Sequence, residues 1–455
     1  MGIDAKKMIN KLVPEKVREL TDVVLKTIFR HDFNNTSLTK SKIMFSNFLL
    51  HIQPVKVHKH SLKFRTTLGL GLIAFYLFLI LVVSGLLLMF HYVPSDAIGP
   101  DGFPVAYQRM LNLRSNIFWG TFLRNMHRWS AHAMVLAVWL HMLRVFFTGS
   151  YSRPREFNWI VGCILGLLTI FMSYTGYLLP WDQLAYWGVK VGTEIARIAP
   201  GGAIIRQILL GDSDVGSEAL LRFYVLHVAV LPMIMTGLIG LHFWRIRKDG
   251  GLAHPEDLTE EDLIPTEECG SVKNASAFNS TRSYKLVEVV TGSAPKVDEP
   301  VDQMVFAWPK LIVREVVLFM LVLAAIATVS VWFDAPLEGP ANPAMPENPA
   351  KAPWYFIGLQ ELTSYNGFVG GVVIPGIIVM LAMIVPYVEI VFGVFMGKKI
   401  RGSGVWFSRY RWPQNLVCIS VTLFMLCLII IGSLFRGPNW DFMMPWEVLS
   451  RGGGH

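Results

Sequence analysis

The 455-residue chain is 53% hydrophobic and only 16% charged, with a mean hydropathy of +0.45 and a formal net charge of +8. That is the composition of an integral membrane protein, and with so much chain in the bilayer the positive charge argues for anionic lipid, not nucleic acid, as its partner. The four cysteines, Cys163, Cys269, Cys418 and Cys427, form no CxxC or CxxCH pattern, which leaves a zinc knuckle, an iron-sulfur cluster and ordinary covalent haem attachment without support.

The first 60 residues carry Lys6, Lys7, Lys11, Lys16 and Arg18 but no apolar core followed by a small-residue cleavage site. They read as an interfacial segment, not a signal peptide. Apolar windows long enough to cross a bilayer follow near 67–92, 120–147, 158–179, 222–244, 312–333, 370–396 and 413–435. The expected fold class is therefore all-α, a polytopic membrane protein of about seven transmembrane helices. Arg153 and Arg155, then Arg245, Arg247 and Lys248, then Lys398, Lys399, Arg401, Arg409 and Arg411 fall in alternate loops on the side of the basic amino terminus. By the excess of Lys and Arg in cytoplasmic loops, that side is the cytoplasm. The stretch GYLLPWDQLAYWG at 176–188 then sits at the outer surface, where Pro would end the helix and the aromatics would lie at headgroup level.

Ionisable residues inside such helices are costly and point to function by default. The second span places His127 and His141 fourteen residues apart, and the fourth places His227 and His242 fifteen apart. Either step returns to roughly the same helix face about 21–23 Å along the axis. Each helix thus offers one imidazole near each membrane surface: His127 with His227 outside, His141 with His242 inside. Two facing imidazoles can hold a planar iron porphyrin, and ligation by both suits electron transfer. A single such histidine would be read as a packing residue or proton relay; the matched pairs favour ligands. His132 lies about 140° off the stripe and is left as a packing residue. Gly71 and Gly85 in the first span, and Gly162 and Gly176 in the third, repeat the fourteen-residue interval. They suit close approach to a flat cofactor or tight helix packing. Arg124 and Arg144, three residues from His127 and His141, could pair with propionates or reach to the interface.

MHRWSAHAMVLAVWLHMLRV, TGYLLPWDQLAYWGVK and RFYVLH resemble cytochrome b of the Rieske/cytochrome b complexes, from about Leu62 to Arg436. The fifteen-residue step is similar to the chloroplast and cyanobacterial branch, and residues 310–437 resemble its separate subunit IV. The expected organisation is an interfacial segment (1–62), a dihaem four-helix bundle (63–248), a cytoplasmic linker (249–310) and a subunit IV-like three-helix domain (311–455). The resemblance implies two non-covalent b haems and bifurcated quinol oxidation at an outer site, which the amphipathic segment around Thr193 to Leu210 should cover. It also implies quinone reduction at an inner site near Arg247, with proton translocation. The implied partners are a Rieske iron-sulfur protein, a c-type or multihaem cytochrome, quinone, lipid and a second copy of the chain, in a bacterial-type cytoplasmic membrane.

Two departures from the family stand out. Where the family usually carries Pro-Glu-Trp-Tyr, this chain reads APWYF, with Pro353 in place of the Glu before Trp354 and Tyr355. Glu361, two turns further on the same helical face, is the expected substitute proton acceptor; a solvated surface carboxylate is the other reading. Gly69 stands where the chloroplast-type chain attaches an extra haem through a Cys, so no covalent haem is expected. A dihaem anchor that relays electrons between quinone and a peripheral dehydrogenase or reductase is the alternative function. It would not need PWDQ, the amphipathic segment or three further helices.

Overall fold

The computed structural model describes residues 56–152, 154–249, 251–253, 304–395, 404–408 and 411–452. The basic amino-terminal segment, Arg153, Lys398, Lys399, Arg401, Arg409, Cys269 and most of the linker lie outside them. In chain order the helices are α1 (Leu70–Met89), α2 (Val105–Ser115), α3 (Gly120–Phe147), α4 (Glu156–Tyr177), α5 (Gln183–Ile198), α6 (Gly202–Leu210) and α7 (Ser217–Lys248). They continue with α8 (Lys310–Trp332), α9 (Trp354–Tyr365), α10 (Ile374–Phe395), α11 (Trp412–Leu434) and α12 (Pro445–Gly452). A short antiparallel ribbon pairs β1 (Lys56–His58) with β2 (Met304–Phe306).

Seven of these helices are long and apolar enough to span a membrane, as the sequence predicts, and the chain is an integral membrane protein. In α1 the buried side holds Tyr76, Leu77, Phe78, Ile80 and Ser84, while Val83, Leu86 and Leu87 stay exposed. A helix that is apolar on both sides suits lipid on one and protein on the other. The fourth span is longer than the apolar window at 222–244, because its ends continue through the polar turns at Ser217 and Lys248.

Lipid tails are as apolar as leucine, so packing and hydrogen bonds hold such helices together more than water exclusion does. α1 packs along α3, α4 along α7, and α8 against both α1 and α3. At one end Asn125 donates to Ser330 O (3.0 Å) and Asp334 Oδ1 (3.0 Å) and accepts from Ala335 N (2.8 Å). At the other end Arg411 is fully buried between Glu389 (2.9 Å), Tyr151 and Ser152 (3.0 Å), joining α11 and α10 to the loop after α3.

PWDQ works at the first of these ends. Asp182 Oδ1 accepts from Ala185 N at 2.9 Å and caps α5, whose helix therefore starts ten residues before the expected amphipathic segment at Thr193. Burial pushes the Asp182 carboxyl up, against the backbone N–H groups of Ala185 and Glu338 that favour its charge. Gln183 donates from its N to Gly339 O (2.9 Å) and from Nε2 to Met345 O (2.7 Å), and accepts from Asn342 N (2.9 Å). The motif is thus a clasp that holds the segment after α8 across the end of the helix bundle. Pro200 and Gly201 (φ 74°) then break the chain between α5 and α6.

Candidate functional site

His127 on α3 and His227 on α7 face one another with ring centroids 6.1 Å apart and planes at 79°. Two imidazole nitrogens each about 2 Å from one shared metal would set their rings at about this separation. The far nitrogen of each ring is held by a hydroxyl. Ser84 Oγ lies 2.9 Å from His127 Nδ1 and donates to Ile80 O at 2.7 Å. Thr175 Oγ1 lies 3.1 Å from His227 Nδ1 and donates to Phe171 O at 3.0 Å. A hydroxyl has one proton, and when the helix carbonyl takes it the oxygen can only accept from Nδ1–H. The lone pair is then on Nε2, the tautomer that a metal ligand needs.

The four glycines match the four histidines one to one. An ideal Cβ on Gly85 would lie 3.1 Å from His127 Cε1, on Gly71 3.0 Å from His141 Cε1, on Gly176 2.5 Å from His227 Cε1, and on Gly162 3.7 Å from His242 Cε1. They make room for the imidazoles themselves, a closer role than bordering the cofactor.

The fifteen-residue step on α7 has a backbone cause. Residues Leu226–Val230, which include His227, form a π turn just before Pro232. At about 100° per residue, fourteen residues end about 40° short of four turns and fifteen about 60° past. A π turn takes up one extra residue, so His242 returns to the phase that His141 has on α3. Pro232 has no N–H to give and its ring would crowd the carbonyl four residues back, which favours the wider turn.

A cavity at the His127–His227 end is lined by Phe78, Gly85, Arg124, Arg128, Met134, Gly176, Tyr177 and Tyr355 together with both imidazoles. No carboxylate is among its lining residues. Arg124 donates to Ala335 O (2.7 Å) and Pro336 O (2.6 Å), and so fastens the loop after α8. Arg144 Nε donates to Thr66 O at 3.0 Å, while its buried Nη2 has no hydrogen-bond partner among the described residues and is available for an anion. Arg247 lies half-buried in the last turn of α7, where neighbouring Arg245 pairs with the buried Asp249 at 3.1 Å.

The structure does not bring Glu361 to this cavity. It is fully buried on α9 and bound by Arg436 (Nε to Oε2, 3.0 Å), Tyr365 OH (2.8 Å) and Trp440 Nε1 (2.9 Å). Burial alone would push its carboxyl up; these three donors outweigh that and hold it below the ordinary carboxylate range. Tyr355 does line the cavity, and Trp354 behind it donates from Nε1 to His132 Nδ1 at 3.0 Å. His132, which lies off the ligand stripe and reads in sequence as a packing residue, is thus hydrogen-bonded to α9; an ionisable side chain inside a membrane helix was the signal that it needs a partner.

The family profile described as "Cytochrome b(N-terminal)/b6/petB" matches residues 132–340. Cytochrome b6 of Heliobacterium mobile is 41% identical over 196 residues, 43% of this chain and 87% of that one. The chain belongs to the cytochrome b family. The cytochrome bc complex cytochrome b subunit of Chlorobaculum thiosulfatiphilum is 29% identical over 345 residues, covering 74% of this chain and 69% of that one. Among solved structures, a chain of a hyperthermophilic respiratory Complex III shares the cytochrome b fold, with a TM-score of 0.64 at 23% identity over 90% of both chains. The alignment with the bc-complex subunit and the shared fold cover 74% and 90% of this chain, too much to end within the first four spans.

Proposed function

We propose that the chain is the dihaem subunit of a quinol-oxidising Rieske/cytochrome b complex. The observation that carries this reading is the His127–His227 pair, with both Nδ1 atoms held by hydroxyls and both rings facing one another, in a chain of this family. His127 and His227 would hold one b haem and His141 and His242 the other, with Arg144 Nη2 placed for a propionate. When bound, the haems supply a one-electron path between an outer site, where a quinol gives its other electron to the Rieske partner, and an inner quinone site.

The chain's own residues do the rest. Ser84 and Thr175 fix the tautomer and angle of the outer imidazoles. Tyr355 borders the cavity at the outer imidazoles, which the outer haem would fill, and so stands between that haem and the place of a quinol ring; the mostly apolar lining keeps water out. Arg245, Arg247 and Lys248 place positive charge at the inner end, where a reduced quinone needs protons. The excess of Lys and Arg in the sequence of the alternate loops supports an outward-facing His127–His227 end and a cytoplasmic amino terminus. Glu361 is assigned to anchoring α9, not to proton transfer. The partners are a Rieske protein, a c-type or multihaem cytochrome and a second copy.

The test is quinol oxidation by the purified complex with cytochrome c as acceptor, before and after removal of the Rieske protein. Loss of cytochrome c reduction on removal supports the reading. Undiminished electron flow to a peripheral dehydrogenase or reductase without any Rieske protein would favour the dihaem anchor instead.

A further inference from the structure

We propose that His132 is a positioning residue for the outer quinol site, seating Trp354 and Tyr355 against the cavity from behind. The inference rests on the function proposed above, because it concerns how the site meets its quinol.

His132 follows His127 by five residues on α3, and so points about 140° away from the ligand stripe. The face it occupies is the one that meets the start of α9. Trp354 Nε1 donates to His132 Nδ1 at 3.0 Å, a bond between residues 222 apart in sequence. The His132 ring also meets Tyr355 edge-on, with centroids 5.4 Å apart and planes at 69°, and leans on Trp129 at 5.5 Å. Tyr355 is the α9 residue that lines the cavity.

Gln360 holds the stretch just before this pair, donating to Ala350 O (2.7 Å) and accepting from Ala352 N (2.8 Å), and His132 is the polar side chain that meets the Trp354 indole itself. Pro353, the N-cap of α9, has no side-chain capping bond and no N–H to give. The nearest carboxylate on α9, Glu361, is committed to Arg436, Tyr365 and Trp440.

The direction of the bond also decides what His132 does. An indole nitrogen only donates, so Nδ1 must accept and the neutral ring keeps its proton on Nε2. With its lone pair engaged by Trp354, His132 is poorly set to take a proton from quinol. It is well set to fix an indole, and through its ring to fix the phenol beside it.

The experiment compares His132→Leu, His132→Gln and Trp354→Phe in the full complex. It reads b-haem difference spectra, equilibrium binding of a radiolabelled short-chain quinone, and KM and kcat for the corresponding quinol. His132→Leu should leave the spectra unchanged and raise both KM and Kd by roughly fivefold to tenfold, the scale of one lost hydrogen bond. Its kcat should change far less. His132→Gln, whose side-chain oxygen can accept from Trp354, should restore most of the loss. Trp354→Phe removes the donor together with part of the indole's bulk and should raise KM and Kd at least as far as His132→Leu, which keeps the test valid if the leucine variant fails to assemble.

Unchanged KM and Kd in both His132→Leu and Trp354→Phe would overturn the proposal. So would a fall in kcat at constant KM, with an altered pH profile, in His132→Leu and His132→Gln alike, because the imidazole itself would then be handling the proton. A wild-type complex that does not oxidise quinol would instead refute the proposed function.

Discussion

Gly176 lies so close to His227 that an ideal Cβ on it would sit 2.5 Å from Cε1 of the imidazole. At Gly162 the same atom would be 3.7 Å from His242 Cε1, an ordinary contact. Two glycines with the same apparent role in sequence are therefore not equivalent.

Gly176→Ala should displace His227 and lower the content of the haem at that end, at a cost of about 1–3 kcal/mol for the overpacked site. Gly162→Ala should keep both haems. Haem-to-protein ratios and redox difference spectra of the two variants separate these outcomes.

Ser84→Ala and Thr175→Val remove the hydroxyls that accept from Nδ1. Partners of this kind typically affect metal-site affinity or activity by about 10–100-fold. Each variant should therefore lose haem on dilution faster than wild type and shift the midpoint potential of one haem only. A potentiometric titration in which both haems titrate as in wild type would count against the tautomer argument.

The π turn at Leu226–Val230 provides one residue of slack on α7, while α3 is helical throughout Gly120–Phe147. Deleting Ala229 should relax the turn to α and leave two haems bound. Deleting Ala137 on α3, where there is no slack, should cost one of them. Equal haem loss from both deletions would contradict the assigned role of the turn.

Glu361→Gln should weaken the fold, because it takes the charge from a buried carboxylate and leaves Arg436, only 12% exposed, without its counter-ion. Full removal in Glu361→Ala should cost about 3 kcal/mol, the low end for a broken buried pair, since Arg436 is partly reached by solvent. The pH sign follows from the carboxyl being held below its ordinary 4.5. Its stabilisation is complete above that value and fades as pH falls through the folded-state one. The difference in Tm between wild type and Glu361→Gln should therefore be largest near neutrality and shrink below about pH 4.5. The kcat of the assembled variant should stay close to wild type, whereas a proton acceptor would lose it.

The parts of this fold that depend on local pattern were legible in the sequence. Twenty apolar residues in a row declare a span wherever they occur, and the interval between His127 and His141 puts both on one stripe of whatever helix forms. What was not legible depends on residues far apart in the chain. Glu361 looked available because Arg436 lies 75 residues away, and nothing local shows that they meet. His132 looked idle because helical phase says which way it does not point, and only the packing of α9 against α3 says what it faces. PWDQ raised the expectation of a broken helix and an aromatic belt; its partners at Glu338 to Met345 belong to a segment more than 150 residues later. The π turn is a one-residue offset, visible as a step of fifteen but interpretable only from the backbone.

The central claim is that four histidines hold two haems non-covalently, and haem stoichiometry tests it most directly. A pyridine haemochrome assay of the purified chain, with a haem stain of the denaturing gel, should give two b haems per chain and an unstained band. A count of one or none, or a stained band pointing to covalent attachment, would contradict it.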